Sequence, residues 1–170
     1  MDAVAHEAAR LIASLARKVV VERGRFVMAV SGGTTPWQML RALGKENVPW
    51  KRVHLVQVDE RVAPSGHDDR NLTHLRECFF ANPMISKDHM YAMPVESNDL
   101  ESAAKQYEML LSKIAGKPPV PDLVHLGLGP DGHTPSLIPG DSILQVEDSD
   151  VGITRIYQGR KRMTLTYPII

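Results

Sequence analysis

The chain has a single cysteine, Cys78, so no disulfide can close within it, and a reducing compartment is the expected setting. Net charge is missing as well. Twenty basic side chains balance twenty acidic ones, leaving no overall field to draw in nucleic acid or an anionic membrane. Any anionic ligand must therefore be held by local donors. There is no apolar run long enough to cross a bilayer and no secretory pattern, so the cytoplasm is the expected location. Internal repeats, low-complexity tracts and a helix-turn-helix extension are also lacking, which argues against a DNA-reading role. What remains is ordinary globular material. The 170 residues, 43% of them hydrophobic, suffice for one domain with a real core, spanning 1–170.

Apolar periodicity then places the elements. Residues 2–22 read as an amphipathic helix, with Val4, Ala8, Leu11, Ile12, Leu15, Ala16 and Val19 on one face. Residues 26–30 form a short buried strand, followed by a glycine-rich turn and a helix opened by Pro36 at its first position. A second strand over 53–58 delivers Asp59, Glu60 and Arg61 as a loop at its carboxyl end. Asn71 is a candidate cap for a helix running to about Phe80. A short strand at 90–94 cannot be central, because of Pro94. The helix over 102–114 precedes an apolar run, 123–128, of the kind buried on both faces of a parallel sheet. Two late strands, 151–156 and 163–170, flank a turn at 158–162. The alternation predicts an α/β fold, a mostly parallel sheet with helices on both faces. Because no helix follows the last apolar strand, the domain reads as C-terminally incomplete.

Three loops at the ends of apolar runs carry the chemistry. Gly32 and Gly33 let backbone approach a ligand. Ser31, Thr34 and Thr35 add hydroxyl donors, and the first amides of the following helix favour an anion such as phosphate. No lysine follows the glycines, so this is not the triphosphate-binding loop that ends in Gly-Lys-Ser/Thr. Arg61, beside Asp59 and Glu60, offers a fork suited to a phosphate or an oxyanion; the plainer reading is a solvated charge cluster with an arginine–carboxylate pair. Asp131, Gly132 and His133 set a carboxylate and an imidazole two residues apart. Residues 127–132 match G-x-G-x-x-G, but Pro130, Pro135 and their late position exclude a dinucleotide site. The other histidines read as surface or structural, with His125 a satisfied core residue. His67, Asp68 and Asp69 lack a clear metal-ligand set, and Cys78 reads as packing.

Taken together, Ser31-Gly32-Gly33-Thr34-Thr35-Pro36, Val58-Asp59-Glu60-Arg61-Val62-Ala63-Pro64 and Gly127-Leu128-Gly129-Pro130-Asp131-Gly132-His133-Thr134 resemble the 6-phosphogluconolactonase family, as does the late Thr164-Leu165-Thr166-Tyr167-Pro168. The resemblance implies a Rossmann-like fold shared with glucosamine-6-phosphate deaminases, without the family's C-terminal strand and helix. It implies hydrolysis of 6-phosphoglucono-δ-lactone to 6-phosphogluconate in the oxidative pentose phosphate pathway, with no cofactor and no metal, by a monomer or homodimer. His133 would be the base that deprotonates water, and Asp131 would orient it unless both face substrate. Arg61 would hold phosphate or steady the oxyanion. Ser31, Gly32, Gly33, Thr34, Asp59, Asn71 and Gly132 would complete the substrate site. Arg70 departs from the family's usual serine, and a basic residue expected beyond the last strand is lacking, which implies weakened binding of the phosphate. A deaminase-like enzyme and a non-catalytic sugar-phosphate-binding module are the alternatives. Arg61 and the Thr134–Leu137 sequence favour the lactonase over the deaminase.

Overall fold

A computed structural model describes residues 2–79, 82 and 84–170. Phe80, the expected end of the third helix, lies outside them. The elements run α1 (Asp2–Arg23), β1 (Phe26–Val30), α2 (Thr34–Leu43), β2 (Val53–Gln57), β3 (Asp59–Arg61), α3 (Asn71–Phe79), β4 (Met90–Tyr91), α4 (Leu100–Ala115), β5 (Leu123–Val124), β6 (Val151–Ile153) and β7 (Arg162–Leu165).

The expected parallel sheet is present, in the order β4-β2-β1-β5. All five β1 residues are buried, and they alternate between two cores as a strand must. Phe26, Met28 and Val30 join a cluster with α1, α2, Trp50 and Phe79. Val27 and Ala29 face the opposite cluster, with Tyr107 and Leu111 of α4 and with Met163 and Leu165. Helix α1 presents Ala9, Ile12, Ala13 and Ala16 to the core, while Val4 and Leu11, expected inside, are exposed. Small residues on that face allow α1 to lie close against α2.

Other expectations are corrected. Residues 59–61 are not a loop. At Val58 the chain changes sheets: its amide donates to Val30 of β1 (3.0 Å) and its carbonyl accepts from Leu165 (2.8 Å). Asp59–Arg61 then pairs antiparallel with β7 in a second sheet, β3-β7-β6, which the alternation of strands and helices did not announce. The strand expected over 123–128 shrinks to β5, because β1, the strand it pairs with among the described residues, ends at Val30. One more bond, His125 N–H to Ala29 O (2.8 Å), follows, and then the chain curls away, leaving Leu128 81% exposed. Pro36 is the third residue of α2, still within the turn where a missing N–H costs nothing. The last strand stops at Leu165, and residues 167–169 form a turn. No helix among the described residues is long and apolar enough to cross a membrane.

Candidate active site

The carboxyl ends of β1 and β5, the start of α2 and the β3–β7 pair converge on a cleft of about 170 Å³. Ser31, Gly32, Gly33, Asp59, Arg61, Asn71 and His133 line it, with Gly127, Leu128, Gly129, Pro135 and Arg162. Seven of the ten expected site residues therefore share one cavity. Thr34 lines the adjoining groove along residues 125–128, Asp131 stands behind His133, and Gly132 lies in the turn outside.

The three-loop convergence is built from the backbone upward. Ser31 spends its hydroxyl on the carbonyl of His125 (2.8 Å), tying the glycine bend to the end of β5. Gly32 is dictated by contact: a β-carbon there would lie 1.8 Å from Asn71 Oδ1. No side chain caps α2, so its first amides stay available toward an anion.

Glu60 organises the middle loop from inside. Its carboxylate is 0% exposed, accepts from Asn71 N–H (2.8 Å) and Leu72 N–H (2.9 Å), and so caps α3 across eleven residues of chain. It also accepts from Gln57 Nε2 and from Arg61 N–H, and it lies 3.2 Å from Nε of buried Arg70. Arg70, the departure from the family pattern, thus neutralises a carboxylate that burial would otherwise penalise. The expected cap is corrected: the Asn71 side chain points into the cleft, accepting from Arg61 (2.5 Å) and donating to Asp59 O (3.0 Å). Arg61 is likewise not paired with Asp59 or Glu60; it donates to Asn71 and to the carbonyl of Asp69.

Arg162 was not anticipated. It reads in the sequence as the end of a basic turn, yet it is buried on β7, in register opposite Arg61. Ser136 accepts from Arg162 (3.3 Å) and donates to Asp59 (2.5 Å), so one hydroxyl links cation to carboxylate. Burial raises the Asp59 carboxyl above its ordinary range, opposed by Ser136 and by the two arginines. Burial and the charge of Arg61 lower the Arg162 guanidinium. Only the antiparallel pairing of β3 with β7 places these cations together, and no local spacing signals it.

In the third loop, His133 Nδ1 lies 2.5 Å from Asp131 Oδ1. The carboxylate accepts a hydrogen bond from Nδ1–H, which leaves the lone pair on Nε2 of an imidazole that lines the cleft. Of the two surfaces Asp131 was expected to meet, it is the imidazole that it contacts. The carboxyl is held well below its usual range, first by the Tyr157 hydroxyl and then by His133. The turn is closed by Gly129 N–H to His133 O and by Thr134 Oγ1 to Gly127 O.

Elsewhere, His125 is corrected: it is half-buried, its Nδ1 finds no hydrogen-bond partner among the described residues, and burial lowers its pKa. Cys78 is buried, and burial raises its thiol, in keeping with packing. No group of three metal-ligating side chains occurs among the described residues. His67 and Asp69 instead meet Arg160.

Comparison with known proteins adds an independent line. A family model described as glucosamine-6-phosphate isomerases/6-phosphogluconolactonase matches residues 1–170. The chain is 36% identical over 157 residues to a 6-phosphogluconolactonase of Synechocystis, covering 90% of this chain and 65% of that protein. It is 34% identical to the chloroplastic 6-phosphogluconolactonase 3 of Arabidopsis thaliana, covering 95% of this chain but 54% of the relative. The chain thus spans about two-thirds or less of these relatives. Among solved structures, that of a 6-phosphogluconolactonase from Thermotoga maritima superposes with a TM-score of 0.82 at 27% identity, covering 95% of this chain and 72% of that one.

Proposed function

Since the chain belongs to the glucosamine-6-phosphate isomerase/6-phosphogluconolactonase family, we propose that its cleft hydrolyses 6-phosphoglucono-δ-lactone to 6-phosphogluconate, with His133 as the base. The observation that carries this reading is the Asp131–His133 pair, whose free Nε2 shares a cavity with two guanidiniums and a glycine bend. A bare phosphosugar lactone needs those three things: a base for water, cations for its phosphate, and backbone that can approach.

In the reaction, Nε2 of His133 takes a proton from water as the water oxygen attacks the lactone carbonyl carbon. Asp131 stabilises the imidazolium that forms. The tetrahedral oxyanion develops in the positive field of Arg61. Collapse breaks the bond to the ring oxygen, which takes the proton back from His133, and the acid product ionises. Arg61, Arg162 and the first amides of α2 hold the phosphate throughout. A lactone of this type opens slowly by itself, so general-base catalysis of roughly 10²–10⁴-fold suffices. Arg162 is a buried cation in the very cavity where the sequence alone implied that phosphate binding would be weak.

The test is lactone consumption, corrected for spontaneous opening, by this chain and by His133→Gln. A loss of roughly 10²-fold or more with the fold intact is expected. An unchanged rate removes His133 from the chemistry.

A further inference from the structure

The tight hairpin between β6 and β7 meets the site at one side chain that the proposed mechanism leaves unused. Gln158 and Gly159 both have positive φ (50° and 80°), and Tyr157 and Arg160 exchange backbone hydrogen bonds of 2.9 and 3.2 Å across them. This is the two-residue hairpin geometry that matches strand twist, and it fixes Tyr157 at a single place. Arg160 clamps the same hairpin to Asp69 at 2.5 Å.

From that place Tyr157 touches both halves of the site. Its hydroxyl lies 2.7 Å from Asp131 Oδ2, the carboxylate oxygen that His133 does not use. Gln158 Nε2 donates to the same hydroxyl (3.3 Å), which leaves the phenol proton for Asp131. The ring meets the His133 imidazole edge-on, with centroids 5.5 Å apart at 64°, and carries the Arg162 guanidinium 4.9 Å from its centroid. Gln158 Oε1 accepts from Arg162 in turn (3.1 Å). The Asp131 side chain is 38% exposed, so its second oxygen needs an anchor of its own to hold the carboxylate in one orientation.

We propose that Tyr157 is a positioning residue: its hydroxyl pins the far oxygen of Asp131 and thereby keeps His133 in the tautomer whose Nε2 lone pair opens into the cleft. The kinetic part of this claim rests on the lactonase reading; the tautomer part does not. The lowered pKa of Asp131 and the raised pKa of Tyr157, each traced first to the hydrogen bond between them, agree with a proton held on the phenol and a charge held on the carboxylate. Arg162 would stay in register without the hydroxyl, because it rests on the ring and on Ser136.

The experiment is Tyr157→Phe, which keeps the ring and removes only the hydroxyl. Two readouts are taken: lactone kinetics, and the proton NMR resonance of the His133 Nδ1–H, assigned by its loss in His133→Gln. Expected are a kcat lower by roughly ten- to a hundredfold, KM within about twofold, and an Nδ1–H resonance broadened into exchange with water. In an Asp131→Asn background the same change should add less than about twofold, because its route to His133 is already cut. A Phe variant with unchanged kcat overturns the proposal, and so does one that loses turnover while keeping the resonance. Were the parent chain inactive on the lactone, that result would count against the lactonase reading alone. A resonance that persists in Tyr157→Phe would then still overturn the positioning role. Should the Phe variant unfold, Gln158→Ala, which removes the donor that aims the phenol together with one acceptor of Arg162, must weaken the resonance, and an unaltered one overturns the proposal.

Discussion

A β-carbon on Gly129 would meet Nδ1 and Cε1 of the His133 ring at 2.2 Å. The glycine is there because the imidazole folds back over it to reach Asp131. Gly129→Ala should therefore push the ring off its carboxylate without touching either core. Expected is a loss of activity of roughly 10²-fold with an unchanged thermal midpoint, read by lactone kinetics beside thermal unfolding.

Glu60→Gln should cost far more stability than a surface change. Gln keeps the shape but leaves buried Arg70 with the more distant, exposed Glu96 (4.0 Å) as its counter-charge, and weakens the cap on α3. A loss of about 3–5 kcal/mol is expected in urea unfolding. A change below about 1 kcal/mol would show that Arg70 finds other compensation.

Arg162→Met separates phosphate recognition from chemistry. KM for the phosphorylated lactone should rise roughly ten- to a hundredfold, the value of a charged hydrogen-bonded contact. For an unphosphorylated δ-lactone the change should leave KM within about twofold. Equal effects on both substrates would assign the guanidinium to the reacting carbon instead.

Acid should loosen the far end of the parallel sheet. His54 on β2 stacks on His89 (4.4 Å between centroids), meets the Tyr91 hydroxyl at 2.9 Å and faces Arg25. Burial first, then the positive neighbours, lower its pKa from the ordinary 6.5. The unfolded chain thus binds the proton more readily than the folded one. Stability is whole above about pH 6.5 and declines as pH falls toward the lowered folded value. Thermal midpoints across that range should fall less in His54→Gln than in the parent; parallel curves would exonerate His54.

The sequence was most legible where a signal is local. Buried β1 follows from an unbroken apolar run, the 53–57 strand from Val53, Leu55 and Val56, and the helix after the glycines from its stripe of Trp37, Met39, Leu40 and Leu43. Each loop motif pointed to the cleft because an open parallel sheet presents its loops at one edge. Illegible features were those made by distant pairing. Three residues, 59–61, are too few to show a strand's period, so β3 passed for a loop and its partner Arg162 for part of a turn. Glu60 caps a helix that begins eleven residues later, beyond any capping-box spacing. Tyr157 reaches Asp131 across 26 residues, through a hairpin whose Gln158-Gly159 turn had no carboxylate in sequence view.

Arg61 and Arg162 stand face to face in the β3–β7 ladder, where like charges work against pairing. The empty protein therefore keeps a tension at its centre that a bound dianion relieves. Inorganic phosphate or sulfate in the buffer should raise the melting temperature, and by less in a chain with either arginine neutralised.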